Sequence, residues 1–530
     1  MGLRFRVRGW LSRGDYEELT EFSRYLGREG DVALFELDEE RMKASGYTLR
    51  DVYLKLSSLN VEGEDLKQLW ELYRKDYRVQ VYLDKDKVKV SSKVYLKEVL
   101  SSLKGELSYE PREKVYAAPP YMYHDLYSVL SSAGLYVEDN VGLLGAKLPR
   151  EIQFKGELRP YQLEALAAWE RNQYRGVIAL PTGAGKTVVA IKATALLSVP
   201  TLVIVYTRDH VRQWAEAYAR FSDAAGLVGK YYGDEKTLGP ITISTYQSAR
   251  MMLSKFSSRY SFVIFDEAHH LPAEKFKTLA LYLAAPYRMA LSATPEREDG
   301  KHVEIFPLVG GVVYYKSPQE LSQQGYLAPF VLKRVRVELS KQEMERYEKL
   351  RERFHQLIGE QSFQQLVEAA KRGDRRAIEA LRIHAEMRAI VQYSESKLKA
   401  AEELARRELE KGNKIIIFTQ LKEQAEEIAK RLGALLLHGD MGTRERAETL
   451  ILFKSQSSGV LVVTTVGDEG LDIPDANVGI LLSGTGSRRQ FVQRLGRLLR
   501  PKQGKSASLY EVIARGTSEE FQSRRRRESL

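Results

Sequence analysis

Short apolar runs alternate with helix-like patterns in two stretches of the chain. In the first stretch, the runs cover residues 177–180, 202–205, 241–243, 262–265 and 289–291. In the second stretch, they cover residues 415–418, 435–437, 460–463 and 478–482. Continuous apolar runs of this length, separated by helices, are typical of parallel strands that are buried on both faces. The pattern predicts an α/β protein with two parallel-sheet domains and a cleft between them, and functional segments at the carboxyl ends of the strands.

The rest of the chain has other patterns. Residues 341–392 are charged and have apolar positions at helical spacing, which predicts a helical insertion. Near the N-terminus, apolar residues alternate with Arg4, Arg6 and Arg8, which predicts a strand with one basic face. Two alternating segments within residues 79–90 predict a hairpin. The predicted division is an N-terminal region (1–70), a small mixed α+β domain (71–150), a first α/β domain (151–325), a linker strand with the helical insertion (326–394) and a second α/β domain with a basic tail (395–530).

A glycine-rich loop follows the first apolar run. Gly183 and Gly185 allow a tight turn, in which backbone N–H groups at a helix N-terminus surround a phosphate. Lys186 is expected to reach the β- and γ-phosphates, and the Thr187 hydroxyl to bind Mg²⁺. The generic pattern has a glycine where this chain has Leu180. The predicted phosphate-binding residues are Thr182, Gly183, Ala184, Gly185, Lys186 and Thr187.

Asp266 and Glu267 follow the apolar run at 262–265. An aspartate at a strand end can hold Mg²⁺ through its waters, and an adjacent glutamate can polarise an attacking water. The alternative is an ordinary helix N-terminus with acidic residues in its first turn. Together with the glycine-rich loop, the pair predicts hydrolysis of a nucleoside triphosphate, so that both large domains are expected to be RecA-like.

Further segments are expected at the same cleft. Gln162, with Arg159, can recognise adenine, which favours ATP, although a polar helix start is the alternative. Arg497 and Arg500 lie one helical turn apart and can act as arginine fingers, whereas the alternative is a solvated basic face. The Ser292 and Thr294 hydroxyls are expected to bond His269 and couple hydrolysis to domain motion, and the alternative is an ordinary strand-end turn. The remaining candidates are Gly470 and Asp472 for the nucleotide and Gln493 for coupling.

Composition limits the class of protein. The net charge of +11 and the pI of about 9.3 favour a polyanionic partner. The absence of cysteine excludes disulfides, cysteine-ligated zinc and cysteine-held iron–sulfur clusters. No apolar stretch approaches the ~18 residues of a membrane span, and no signal peptide is evident, so we expect an intracellular protein, located in the cytoplasm. Scarce asparagine, zero cysteine and 29% charged residues favour a thermophilic source, with lineage bias as the alternative.

Over roughly residues 155–515, the chain resembles the superfamily-two helicases. Arg297, Glu298 and Asp299, which follow SerAlaThrPro and Glu296, are similar to a motif of the XPB family of repair and transcription helicases, especially its archaeal members. GlyAspGluGlyLeuAspIlePro (467–474) and the tail near 515–527 are similar too. The chain has AspGluAlaHis where the eukaryotic branch has AspGluValHis, and its N-terminal extension is short.

The resemblance implies a DNA-dependent ATPase that opens or translocates along duplex DNA, moving 3′ to 5′, in nucleotide excision repair or transcription. It implies a damage-recognition-like domain at 71–150, a thumb in the helical insertion and a partner nuclease. By the family pattern, the DNA-backbone contacts are Thr207, Arg208, Tyr246, Gln247, Thr419, Gln420, Thr464 and Thr465. The alternative for each residue is a strand-end cap. We expect Arg297, Glu298 and Asp299 to act in strand opening, by pairing with a neighbouring domain or wedging beside displaced bases, and the alternative is a solvated turn.

Two other interpretations stay open at this point. The chain could be an RNA helicase, which comparing ATPase stimulation by DNA and by RNA would decide. It could also be a DNA-binding clamp whose ATPase only switches conformation and recruits a nuclease without unwinding, which a strand-separation assay would decide.

Overall fold

The computed structural model describes residues 2–103, 106–294, 302–464, 476–482 and 507–527. In this part of the chain, the strands form four sheets. Two are small and lie before residue 140, and two are large and mainly parallel. The predicted fold class is therefore confirmed: two RecA-like α/β units, a helical thumb and a mixed α+β N-terminal region.

The N-terminal unit is built on an antiparallel sheet with the order β1-β3-β2. Its elements are β1 (Arg4–Arg8), α1 (Arg13–Phe22), β2 (Ser23–Glu29), β3 (Val32–Leu37), α2 (Glu39–Ala44), α3 (Leu49–Ser57) and α4 (Gly63–Asp76). Phe5 and Val7 enter its core, and the arginines of β1 lie on the other face. That face is not simply basic, because Arg6 forms a two-pronged ion pair with the buried Asp65, at 2.8 and 3.0 Å.

The second small unit has a sheet with the order β6-β7-β5-β4-β8. Its elements are β4 (Arg78–Asp84), β5 (Lys87–Ser92), α5 (Lys97–Leu100), β6 (Ser108–Glu110), β7 (Val115–Ala118), α6 (Tyr123–Ser132) and β8 (Tyr136–Asp139). Strands β4 and β5 form the predicted hairpin, with Val81 opposite Val90. Asp125 pairs with Arg175 of the first α/β unit at 2.5 Å, and Ala284 of that unit joins the small core. The two units therefore share an interface.

The first α/β unit has a sheet with the order β12-β11-β13-β10-β14-β15-β9-β16. Its strands are β9 (Arg175–Ala179), β10 (Thr201–Val205), β11 (Val228–Tyr232), β12 (Glu235–Lys236), β13 (Ile241–Thr245), β14 (Phe262–Phe265), β15 (Tyr287–Ser292) and β16 (Val312–Tyr315). Its helices are α7 (Pro160–Arg171), α8 (Lys186–Leu197), α9 (Arg208–Phe221), α10 (Tyr246–Met251), α11 (Leu253–Phe256), α12 (Glu274–Tyr282), α13 (His302–Ile305) and α14 (Pro318–Gln323). Apart from β12, neighbouring strands are parallel. The central strands are buried on both faces, as their unbroken apolar runs predict.

The second α/β unit has a parallel sheet with the order β17-β22-β21-β18-β20-β19. Its strands are β17 (Phe330–Val337), β18 (Lys414–Thr419), β19 (Leu435–Leu437), β20 (Gly459–Thr464), β21 (Val478–Leu481) and β22 (Ala507–Ala514). Its helices are α18 (Glu395–Glu410), α19 (Lys422–Leu432), α20 (Thr443–Ser455) and a C-terminal helix (Ser518–Arg527). One predicted boundary is corrected here: the strand assigned to the linker is β17, which pairs with β22 along its whole length.

The thumb consists of α15 (Lys341–Ile358), α16 (Phe363–Lys371) and α17 (Arg375–Gln392). Each helix begins at a side-chain cap: Ser340 with Glu343, Ser362 with Gln365, and Asp374. The helices enclose a small core around Leu366, Ala377 and Ala380. The predicted helical insertion is thus an ordered subdomain with well-defined starts.

A buried ion pair anchors the C-terminal helix. The Lys397 side chain is fully buried, and its Nζ lies 2.7 and 2.8 Å from the two carboxylate oxygens of Glu519. Glu519 also accepts the Ala514 backbone N–H at 3.0 Å. Glu519 therefore joins the C-terminal helix to α18 through Lys397 and to β22 through Ala514.

Candidate active site

Five neighbouring strands bring the predicted motifs to one edge of the first large sheet. Along the sheet, their order is β13, β10, β14, β15 and β9. Because these strands are parallel, their carboxyl ends lie at the same edge. Strands are about 4.8 Å apart, so the glycine-rich loop after β9 begins roughly 10 Å from the carboxylates after β14. The loop and the acidic pair therefore belong to one site.

The loop has the backbone that a phosphate site requires. Gly183 and Gly185 have φ angles of 85° and 78°, in the left-handed region that glycine adopts freely. A Cβ at Gly185 would lie 2.4 Å from Nε2 of Gln162, so a side chain does not fit there. Among the described residues, the buried Thr182 hydroxyl has no hydrogen-bond partner. These features fit a bound phosphate, which would accept from the hydroxyl and the loop N–H groups.

The residues on either side of the glycines fix the loop to the core and to α8. Leu180, where the generic pattern has glycine, is fully buried and packs in the core of the unit. Lys186 opens α8, and its Nζ donates to the carbonyl oxygen of Leu180 at 2.9 Å. Thr187, one residue further along the helix, is half-buried. The lysine is thus held at the loop, at the N-terminal end of α8.

The start of α7 is hydrogen-bonded to the loop. Gln162 accepts the Arg159 backbone N–H at 2.9 Å and donates to the Ala184 carbonyl oxygen at 2.9 Å. The Arg159 guanidinium donates to the Tyr326 carbonyl oxygen at 3.0 Å. An amide has further donor and acceptor capacity, so the adenine contact of Gln162 stays a prediction.

Asp266 is fixed from several sides. Its Oδ1 accepts the Glu267 N–H at 3.0 Å, and its Oδ2 accepts Nε1–H of Trp214 at 2.7 Å. Its backbone N–H donates to Ile204 at 2.9 Å, and its carbonyl oxygen accepts the Tyr246 hydroxyl at 3.0 Å. A carboxylate has about four acceptor positions, so Asp266 retains the capacity to bind a hydrated Mg²⁺.

Glu267 has a φ of 48°, which is uncommon for a residue with a side chain. Its Oε2 lies 3.2 Å from Nδ1 of the buried His269. Burial acts to raise the pKa of Glu267, but its contact with His269 and the Lys186 charge outweigh this effect and lower that pKa. Burial and the Glu267 charge raise the pKa of Asp266. The contact with His269 and the Lys186 charge therefore favour the ionised form of Glu267, which is the form that a proton acceptor needs.

The predicted coupling contact is corrected by the structure. The Ser292 hydroxyl donates to the Thr294 carbonyl oxygen at 2.7 Å and accepts the Thr294 N–H at 3.3 Å. Its one hydrogen is thus used in a local turn, and the His269 ring contacts Glu267 instead. SerAlaThr is a strand-end turn at the site, and the predicted hydroxyl bond from Ser292 to His269 is wrong.

The predicted DNA contacts of the first unit divide into exposed and buried residues. Arg208 and Gln247 are exposed, and Thr207 caps α9 by accepting the His210 N–H at 3.2 Å. Tyr246 is 1% exposed, and its hydroxyl donates to the Asp266 backbone. A side chain enclosed in this way cannot touch a DNA phosphate, so the prediction for Tyr246 is wrong.

The same correction applies in the second unit. Thr419 and Thr464 are the last residues of β18 and β20, and their side chains are buried, because both faces of the sheet are covered. Neither hydroxyl can reach DNA. Gln420 lies one residue further on, where its Oε1 accepts from Arg388 and Gln392 of the thumb at 2.9 and 3.0 Å. Gln420 therefore joins the thumb to the carboxyl edge of the second sheet.

Several predicted residues lie outside the described part of the chain. They are Arg297, Glu298, Asp299, Thr465, Gly470, Asp472, Gln493, Arg497 and Arg500.

Within the described ranges, no group of three or more His, Cys, Asp or Glu side chains is arranged to hold a metal ion. No helix in those ranges has the length and apolar composition that crossing a bilayer requires.

Trp214 is a site residue that the motif analysis missed. It lies on α9, is 2% exposed and donates to Asp266. Its neighbours in sequence resemble an ordinary amphipathic helix, in which a tryptophan is expected to fill the core. The sequence feature that could have indicated its role is its position on α9, two turns after Thr207, because α9 follows β10 and begins at the edge of the sheet where the site lies.

Comparisons with known proteins assign the chain to a family. Residues 155–297 match the family described as "Type III restriction enzyme, res subunit", and residues 379–530 match "ERCC3/RAD25/XPB C-terminal helicase". The "DNA 3'-5' translocase XPB2" of Sulfurisphaera tokodaii is 39% identical over 432 residues, which cover 80% of this chain and 96% of that protein. The "DNA 3'-5' helicase XPB" of Kineococcus radiotolerans is 30% identical, over 89% of this chain and 81% of that protein.

A solved structure, the Pyrococcus furiosus Hef helicase domain, is 21% identical and has a TM-score of 0.47, over 70% of this chain and 98% of that one. The fold assignment comes from the sheets of this chain and not from that likeness. The identity to the two curated relatives extends over most of each of them. The chain therefore belongs to the XPB family of helicases.

Proposed function

We propose that this chain is an ATP-driven motor that moves 3′ to 5′ along duplex DNA and opens it in nucleotide excision repair or transcription. The proposal is supported by the names of two relatives, a DNA 3'-5' translocase and a DNA 3'-5' helicase. The observation that carries it is one sheet edge where Asp266 and Glu267 follow β14 and the glycine loop with Lys186 follows β9. A DNA substrate also favours a location inside the cell.

ATP with Mg²⁺ would supply the phosphoryl group and a cation that neutralises charge on it. The N–H groups of the Gly183–Gly185 loop and Lys186 would bind the phosphates, and the Thr187 hydroxyl and Asp266 would hold the metal. Glu267 would accept a proton from the attacking water. Arg497 and Arg500 would meet the γ-phosphate when the two α/β units close, and Gly470 and Asp472 would lie beside the nucleotide.

The other parts of the chain would position DNA. Exposed Arg208 and Gln247 at the first sheet edge suit backbone contacts, which fix position without reading sequence. The thumb touches the second sheet edge through Gln420, and we infer that it moves with that unit. Residues 71–150 would form the damage-recognition-like domain. A partner nuclease is inferred from the family resemblance alone, and copurification with candidate nucleases tests it.

Glu267→Gln tests the assignment of the base. The amide keeps the size of the side chain but cannot take a proton, so kcat should fall by about 10²-fold or more while ATP still binds. Glu274→Gln, an exposed acid on α12, is the matched control and should hydrolyse ATP like the unaltered protein. An ordinary rate for Glu267→Gln would contradict the assignment.

A second experiment tests the reaction. Forked duplexes with 3′ or 5′ tails, each with and without a lesion, are assayed for strand separation and for stimulation of ATP hydrolysis. Separation that requires a 3′ tail supports the proposal. Stronger stimulation by RNA than by DNA would identify an RNA helicase, and ATP-dependent DNA binding without separation would identify a clamp.

A further inference from the structure

Two helices hold the catalytic aspartate from the side where DNA is expected. Trp214 of α9 donates to the Asp266 carboxylate, and Tyr246 of α10 donates to its backbone carbonyl oxygen. Each helix begins at the carboxyl edge of the sheet. Arg208 and Gln247, exposed in the first turns of α9 and α10, are the predicted DNA contacts. The residues that would touch DNA and those that hold Asp266 are thus on the same short helices.

Helix α9 connects the exposed Arg208 to buried contacts of the ATP site. The Thr207 hydroxyl caps it, and Trp214 lies six positions after Arg208, which is about 9 Å along the axis at 1.5 Å per residue. Further along, the buried Tyr218 hydroxyl lies 2.9 Å from the Thr194 hydroxyl of α8, the helix that carries Lys186 and Thr187. A shift of the exposed end of α9 would therefore act on both sides of the ATP site.

The contact between Trp214 and Asp266 is directional. An indole has a single N–H donor, and its 2.7 Å bond to Oδ2 fixes the rotation of the carboxylate together with the Glu267 N–H, which donates to Oδ1 at 3.0 Å. Hydrogen bonds to a charged group are stronger than those between neutral groups. Tyr246, by contrast, holds only the backbone of Asp266, so Trp214 is the residue through which α9 can set the direction of the carboxylate oxygens.

We propose that Trp214 is a positioning residue that transmits DNA binding at the start of α9 to the Asp266 carboxylate, and thereby couples DNA to ATP hydrolysis. This inference rests on the proposed function. DNA bound at Arg208 fixes the position of α9, Trp214 orients Asp266, and Asp266 orients the metal-binding side of the site. The coupling requires the indole N–H and not only the bulk of the ring.

The experiment compares Trp214→Phe with the unaltered full chain. The quantities measured are kcat and KM for ATP with and without saturating duplex, and the Kd of a fluorescent duplex by anisotropy. The DNA-stimulated kcat should fall by about tenfold or more, as expected for loss of one hydrogen bond to a charged group. The ratio of stimulated to unstimulated kcat should fall toward one, with the KM for ATP and the Kd for DNA unchanged.

Trp169→Phe is the matched control. Trp169 is a buried tryptophan of the same unit, and its Nε1–H donates to the Arg288 carbonyl oxygen at 2.8 Å, away from the site edge. This variant should keep the stimulation ratio even if its thermal stability falls. Incorporation of 3-benzothienylalanine at position 214, which preserves the ring shape and lacks only the N–H, should reproduce the loss seen in Trp214→Phe.

A double variant tests whether the two ends of α9 act in one route. If Arg208 and Trp214 act in series, then Arg208→Ala combined with Trp214→Phe should lower the ratio no further than the stronger single change. Retained stimulation in Trp214→Phe, equal loss in Trp169→Phe or multiplied losses in the double variant would overturn the inference. An unaltered protein that DNA fails to stimulate would instead contradict the proposed function.

Discussion

The buried Lys397–Glu519 pair gives a sharp test of what holds the second α/β unit together. Lys397→Met keeps the length of the side chain and removes its charge. It leaves the Glu519 carboxylate, whose side chain is 11% exposed, without its cation. Breaking a buried pair in this way costs about 3–5 kcal/mol, because one charge is then buried alone. For a unit of about 200 residues, the melting temperature should fall on the order of 10 °C.

The double variant Lys397→Met with Glu519→Gln removes both charges. The glutamine still offers an oxygen to the Ala514 N–H, which Glu519 accepts at 3.0 Å. Most of the lost stability should return, since replacing a whole buried pair by neutral groups is often close to neutral. The free energy of interaction follows from the double-mutant cycle.

The assay is thermal and chemical denaturation, followed by near-ultraviolet circular dichroism and by proteolysis of the C-terminal helix. Arg444→Met is the control, because Arg444 and Glu448 form an exposed pair of the kind that contributes little. The reasoning is refuted if Lys397→Met melts like the control. It is also refuted if the double variant is as unstable as Lys397→Met, because the loss would then come from packing and not from an unpaired charge.

Three further predictions concern charge. Burial acts to raise the pKa of Asp125, but His124 and the Arg175 guanidinium outweigh it and lower that pKa below 3.8. The contact therefore adds stability at neutral pH, and this stability is lost as the pH falls below about 4. The difference in melting temperature between the unaltered protein and Asp125→Asn should shrink in acid, and a constant difference would contradict this. Arg497→Ala and Arg500→Ala should each lower kcat by up to ~10³-fold with little change in ATP affinity, and weakened binding with normal kcat would refute the finger role. DNA affinity should fall with salt, with a logarithmic slope of about −0.9 per phosphate neutralised, and a flat response would exclude contacts dominated by Lys and Arg.

The strands and the nucleotide loop were accessible from sequence because their signals are local. An unbroken apolar run such as Phe262–Phe265 is typical of a buried parallel strand. A glycine followed by a lysine and a hydroxyl residue is typical of a phosphate-binding loop, because each of these residues has a role in holding phosphate or its metal. Both depend on residues adjacent in the chain. The place of each motif at the sheet edge then follows from parallel strand direction.

The errors arose where burial had to be known residue by residue. Tyr246, Thr419 and Thr464 lie within one residue of a strand end, and a shift of one position decides whether a side chain meets solvent or the core. The pairing of β17 with β22 joins segments far apart in sequence, so no local pattern predicts it. Trp214 was missed for a similar reason, because its partner lies 52 positions away.

The position of β22 in the second sheet has a consequence for how the chain is made. Strand β22 lies between β17 and β21, although β17 precedes the thumb and β22 follows every other strand of that sheet. During synthesis, β17 therefore emerges from the ribosome with no neighbour to pair with until residues 507–514 have followed it. Long-range pairings of this kind fold slowly and leave strand edges open to other chains. The first α/β unit has been synthesised before that point, so a nascent chain can form the nucleotide-binding loop well before the second sheet is complete.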